Sequence, residues 1–163
     1  MFYRKQGNIP KKRHTQHRSK DNLLYYEELI SREGFSSIYS NVYHLNMPTK
    51  ILEVGDLKSI KITDNKGKHK NRHFKTADLD VCGDLLSGRQ VLLFNEDISI
   101  SKLHLSDSMD YLYRNSHYDE LLYIQSGKGK VFSNFGNFNI EMGDYIIFPR
   151  GVIWKIEFQN NIN

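Results

Sequence analysis

Glu120-Leu121-Leu122-Tyr123-Ile124-Gln125 opens the most regular part of the chain, which closes with Val152-Ile153-Trp154-Lys155-Ile156-Glu157-Phe158. Between them lie Lys130-Val131-Phe132-Ser133-Asn134-Phe135, Phe138-Asn139-Ile140-Glu141 and Asp144-Tyr145-Ile146-Ile147-Phe148. Ser126-Gly127-Lys128-Gly129, Gly136-Asn137, Met142-Gly143 and Pro149-Arg150-Gly151 punctuate these runs. Short apolar segments separated closely by glycine and proline predict five antiparallel strands of a sandwich or barrel. They do not suit alternating βαβ units.

The punctuation also has a fixed spacing. Glu120 is followed after six residues by Gly127, and Gly143 after five by Pro149 and then, one residue on, by Gly151. This resembles the double motif of the cupins, a jelly-roll superfamily. The fold class expected is all-β: a cupin-like jelly-roll barrel with an extended N-terminal arm and one short peripheral helix. Gly143-Asp144 would be the turn between two strands, and Pro149-Arg150-Gly151 would redirect the chain at the barrel mouth.

The cupin resemblance implies a metal pocket, but the residues depart from it. The usual H-x-H before the glutamate is replaced by Tyr113-Arg114-Asn115-Ser116, with one histidine, His117, out of register. Trp154 stands where the second motif places its histidine. A transition-metal site needs at least three converging ligands, and Glu120 with His117 supplies at most two. We therefore assign no catalytic, cofactor-binding or metal-ligating residue in this chain.

Upstream, alternation predicts strands over Ile38–Leu45, Lys58–Thr63, Gln90–Phe94 and Ile98–Leu105, with another over His69–Thr76. Residues 77–88 form a connection. Asp21 or Asn22 could cap a helix over Leu23–Ile30, ended by Gly34. The first twenty residues lack apolar periodicity and contain Pro10, which suits an extended arm. The expected division is an arm with a short helix at 1–35 and a β-domain at 36–163, with the strongest motif at 117–154.

The 163-residue length suits one domain. No apolar run approaches the ~18 residues of a membrane span. Met1-Phe2-Tyr3-Arg4-Lys5 has no apolar stretch behind it of the kind a secretory signal needs, and Cys82 is a lone cysteine. A reducing cytoplasm is the expected location. The formal charge of +4 is unevenly spread. Residues 1–20 carry seven basic side chains and no acid, and residues 58–75 carry seven against Asp64. Everything else is net acidic, so nucleic-acid binding is a weaker alternative than docking loops for these segments.

Several segments together resemble a narrower family, the homogentisate 1,2-dioxygenases of bacterial type. They are Tyr3-Arg4-Lys5 with Ile9-Pro10-Lys11-Lys12-Arg13-His14, then Leu24-Tyr25-Tyr26-Glu27-Glu28-Leu29, Glu33-Gly34-Phe35-Ser36, Tyr43-His44, Arg72-His73-Phe74-Lys75-Thr76, and Asp119 through Gly151. The resemblance runs from about residue 2 to residue 154. It implies ring-opening oxidation of homogentisate in tyrosine and phenylalanine catabolism by a mononuclear iron(II) held by two histidines and a carboxylate. In that family the iron belongs to the C-terminal cupin half. This chain is similar to the arm and first, metal-free half, which is expected to be inactive alone. Its expected partners are the C-terminal cupin half or other subunits of an oligomer, with no membrane. An alternative is a stand-alone non-metal cupin binding a small ligand.

The remaining candidates favour structural roles. His69 and His73 lie in a solvated basic segment, His44 follows a tyrosine-rich strand and suits a hydrogen-bonded structural role, and His14 sits in the arm. No G-x-S-x-G elbow accompanies the serines, Gly127-Lys128-Gly129 precedes no helix that could bind phosphate, and Cys82 suits an inert thiol.

Overall fold

The computed structural model describes residues 16–56, 67–68 and 70–159. The C-terminal runs fold as the alternation predicts. β5 (Tyr113–Arg114), β6 (Glu120–Tyr123), β7 (Lys128–Ser133), β8 (Gly136–Glu141), β9 (Tyr145–Phe148) and β10 (Ile153–Phe158) are strands. They assemble into a four-stranded antiparallel sheet, in the order β5-β10-β7-β8, and a separate β6-β9 pair. Gly143 and Gly151 hold φ at +97° and +85° in the turns before β9 and β10, a conformation that a Cβ disfavours. This is why the motif needs glycine at both positions.

Alternation sorts these strands into an inner and an outer face. Val131, Ile140, Trp154 and Ile156 of the four-stranded sheet join Ile146 and Phe148 of β9 in one buried cluster, together with Leu85, Met109, Ile124 and Val152. The Trp154 and Phe148 rings stack in parallel with centroids 4.2 Å apart. The protein is therefore nearly all β, as expected. No sheet among the described residues closes into a barrel.

β1 (Tyr26–Ser31) and β2 (Tyr39–His44) form an antiparallel hairpin, from Tyr26 opposite His44 to Ser31 opposite Tyr39. The helix expected over Leu23–Ile30 is not formed. An eight-residue helix gains little beyond its own costly first turn, whereas Tyr26–Ser31 finds six cross-strand partners on β2. Asn22 adopts left-handed φ of 61° in a tight turn after Ser19 and caps nothing helical. Gly34, at φ 62°, lies in the connection between the two strands.

β3 (Gln90–Phe94) and β4 (Ser99–Lys102) form another hairpin, with an irregularity between Val91 and Leu93. The strand expected over His69–Thr76 is absent from residues 70–75, and Thr76–Asp78 forms a 3-10 turn. Its run of Lys70, Arg72 and Lys75 offers no apolar face to a partner strand. The strand expected over Lys58–Thr63 and His69 itself lie outside the described residues, as does most of the arm.

Candidate functional site

The segment Cys82-Gly83-Asp84-Leu85-Leu86-Ser87-Gly88-Arg89 is a tightly tied loop leading into β3. Asp84 Oδ1 accepts hydrogen bonds from the Leu86 and Ser87 amides (2.9 and 2.8 Å) and the Ser87 hydroxyl (2.8 Å). Asp84 Oδ2 accepts one from the Tyr111 hydroxyl at 2.6 Å. Burial alone would raise the Asp84 carboxyl, but these four donors outweigh it and hold the group well below the usual carboxylate range. Burial, and then the bond and charge of Asp84, push the Tyr111 hydroxyl up to about 12. The Gly88 amide closes the loop onto Asp84 O at 2.9 Å. A Cβ on Gly88 would stand 2.1 Å from Cys82 O, so no other residue fits without moving backbone.

The loop delivers Arg89 to the inner side of β6. Its Nε donates to Leu85 O at 2.8 Å and its Nη1 to Glu120 Oε1 at 2.6 Å. Only 10% of the Glu120 side chain is exposed. Tyr113 donates a longer bond of 3.5 Å to the same oxygen, and the Arg89 guanidinium carbon lies 5.8 Å from the Tyr113 ring centre. Burial, followed by the Glu120 charge, raises the Tyr113 hydroxyl above its ordinary value. The Tyr113 ring meets Trp154 edge-on at 5.4 Å. Arg89 Nη2 and Glu120 Oε2 are both buried without a hydrogen-bond partner. The result is an ion pair beside the Tyr113 ring, with one donor atom and one acceptor atom buried and unpaired.

Glu28 of β1 anchors a second constellation. Arg114 of β5 grips it with both nitrogens, Nη1 to Oε1 at 2.8 Å and Nη2 to Oε2 at 3.0 Å. His44 Nε2 lies 2.7 Å from Oε2. Such a two-pronged pair fixes orientation as well as distance, and it ties the β1-β2 hairpin to the four-stranded sheet. His44 therefore holds the hydrogen-bonded structural place expected of it.

The other sequence candidates do not converge. His117 is exposed in the loop before β6, where its amide donates to Asn115 Oδ1 at 2.9 Å. His73 is exposed in coil, and His104 offers its carbonyl to the Cys82 amide. Cys82 is a half-buried free thiol. Among the described residues no group of three or more His, Cys, Asp or Glu could hold a metal ion. The donors do not fit an iron centre of two histidines and a carboxylate: Glu120 faces a guanidinium, and Trp154 fills the position that the second motif gives to histidine. Among the described residues no helix is long and apolar enough to cross a membrane.

A cleft of about 350 Å³ lies between the β1-β2 connection and the Pro149–Val152 turn. Its polar rim is already engaged. Arg32 pairs with Asp119 at 2.9 Å, the Arg150 amide donates to Asp119 Oδ1 at 2.9 Å, and Arg150 Nη2 donates to Arg32 O.

Sequence reading missed Arg89 and Tyr113. The available signal was the Gly83-Asp84…Ser87-Gly88 frame, whose capping aspartate and paired glycines mark a built loop rather than a slack connection.

The fold and site thus define an all-β protein whose inner carboxylate is neutralised by a guanidinium. No protein-family model matches the chain, and no solved structure matches it. It is 38% identical over 164 residues to a Saccharolobus solfataricus protein named "Putative dioxygenase", an alignment that covers 99% of this chain and 42% of that relative. The chain therefore spans about two fifths of that relative's length.

Proposed function

We propose that this chain is the metal-free, cupin-like portion of a dioxygenase-related protein of the homogentisate 1,2-dioxygenase type. Its role in this reading is to build and support the assembly, while an iron-bearing cupin half performs the ring opening. The observation that carries the reading is the Arg89–Glu120 pair. In a metal cupin the motif glutamate would face a metal cation, and here it meets a fixed organic cation at 2.6 Å. The similarity to a longer protein with a dioxygenase name supports the reaction class. The placement of both halves of the double motif on the paired strands β6 and β9, with Glu120 opposite Phe148, supports the cupin reading.

The test is iron analysis and oxygen uptake with homogentisate on the purified chain. The expected result is iron far below one atom per chain and no turnover. Stoichiometric iron with sustained oxygen consumption would overturn the structural role.

The open Arg89 Nη2 and Glu120 Oε2 favour a second reading, a non-metal cupin that takes a small polar molecule. A neutral group presenting a donor beside an acceptor, such as a carboxamide, matches them. A dose-dependent rise in melting temperature with small carboxamides, lost in Glu120→Gln, is expected on this reading. No rise would end it.

A further inference from the structure

Two polar clusters of this fold share one short loop. The loop over residues 82–89 carries Asp84 near its start and Arg89 at its end, and each is tied to a different part of the molecule. Asp84 Oδ1 serves the loop itself, accepting from the Leu86 and Ser87 amides and the Ser87 hydroxyl. Asp84 Oδ2 instead accepts from the Tyr111 hydroxyl at 2.6 Å. The backbone supports the same join: the Ser106 and Asp107 amides donate to Gly83 O at 3.0 and 3.1 Å, and the Cys82 amide donates to His104 O at 2.9 Å. Leu85 is buried in the core and offers its carbonyl to Arg89 Nε. Two residues past Tyr111, Tyr113 lies beside the Arg89 guanidinium and donates to Glu120. The segment 104–113 therefore meets the loop at both of its ends.

We propose that Tyr111 is a positioning residue for the Arg89–Glu120 pair, acting through Asp84 and the 82–89 loop to fix where the guanidinium stands. A carboxylate held at both oxygens cannot turn about its last torsion. Without the Tyr111 hydroxyl, Oδ2 loses that partner and the group is free to turn, which loosens the three bonds that Oδ1 accepts from the loop. The Gly88 amide bond to Asp84 O at 2.9 Å and the Arg89 Nε bond to Leu85 O at 2.8 Å span the same residues, so the loosening passes on to Arg89. The pair needs such a hold. Arg89 Nη2 and Glu120 Oε2 are buried and unpaired, a cost that access to water would relieve, so the closed geometry is kept by its surroundings. The fixed directions of a donor and an acceptor are what select a ligand. The inference rests on the reading of this pair as a binding group and names the residue that sets its geometry.

Hydrogen exchange of the Arg89 Nε proton, followed by heteronuclear NMR on the full chain without ligand, tests it in Tyr111→Phe. That change keeps the ring and removes only the hydroxyl. Tyr118→Phe, at an exposed tyrosine before β6, is the control. The expected result is exchange about tenfold faster at Arg89 Nε and at the Gly88 amide in Tyr111→Phe, with the Val131 and Ile156 amides unchanged and nothing moved in the control. If Tyr111→Phe fails to fold, Asp84→Asn, which keeps one oxygen for the loop donors, decides by the same measure. Unchanged exchange at Arg89 overturns the inference. So does equal acceleration at Val131 and Ile156, which marks a general loss of stability. A carboxamide titration that shows no binding leaves this result standing, so the two readings fail separately.

Discussion

The guanidinium of Arg89 sits 2.6 Å from the carboxylate of Glu120, 31 residues further along the chain, with the Tyr113 ring beside both. Each charge is held in a largely apolar surround because the other is there, and neither is fully solvated. That dependence makes the pair sensitive to loss of one member and tolerant of loss of both.

Arg89→Met alone strands the Glu120 carboxylate, and Glu120→Leu alone strands the guanidinium. Breaking a buried pair costs about 3–5 kcal/mol, and the partial exposure of Arg89 brings the expectation to roughly 2–3 kcal/mol for either. The double variant is expected to recover most of this loss. Urea unfolding of all four proteins checks it, and additive losses in the double variant would contradict the coupling.

Asp84 and Tyr111 give the protein two pH limits. The Asp84 carboxyl is depressed, so its contribution is present above the ordinary value of 3.8 and is lost as pH falls through the lower folded value. Tyr111 is raised from 10.0 to about 12, so its contribution is complete below pH 10 and is lost as pH climbs between the two. Melting temperature followed against pH should show Asp84→Asn flattening the acid limb and Tyr111→Phe flattening the alkaline limb. Unchanged limbs would assign the dependence elsewhere.

Arg114→Ala should loosen the β1-β2 hairpin without melting the four-stranded sheet. The Arg114–Glu28 grip joins residues 86 apart and is largely shielded from water. Hydrogen exchange is the suitable measurement: amides of Tyr26–Ser31 and Tyr39–His44 should exchange at least tenfold faster, while Val131 and Ile156 keep their protection. Uniform acceleration across both regions would show that the hairpin is not a separate unit.

Trp154 is the chain's only tryptophan and is 1% exposed. Its emission should be blue-shifted when folded and move to the red on unfolding. Trp154→Ala removes a ring packed on Phe148 and Tyr113 and should cost about 3–5 kcal/mol. A cost below about 1 kcal/mol would mean that the site collapses around the smaller residue.

Several features are legible in the sequence. The strands from Glu120 onward follow from period-two alternation and from glycines whose positive φ the turns require. The structural place of His44 followed from its position after a tyrosine-rich strand. Tyr26–Ser31 was not legible as a strand, because a short apolar run with two glutamates suits a helix face equally well. Its β2 partner decided the matter by supplying backbone bonds that an eight-residue helix lacks.

The amino-acid order by itself determined the β class and the turn positions from Glu120 onward, since these depend on local conformation. The tertiary structure alone decided that Glu120 faces Arg89 and that Glu28 binds Arg114 and His44. Charged and apolar side chains carry no local preference for a partner tens of residues away. Only the packing of the sheets fixes which of them meet.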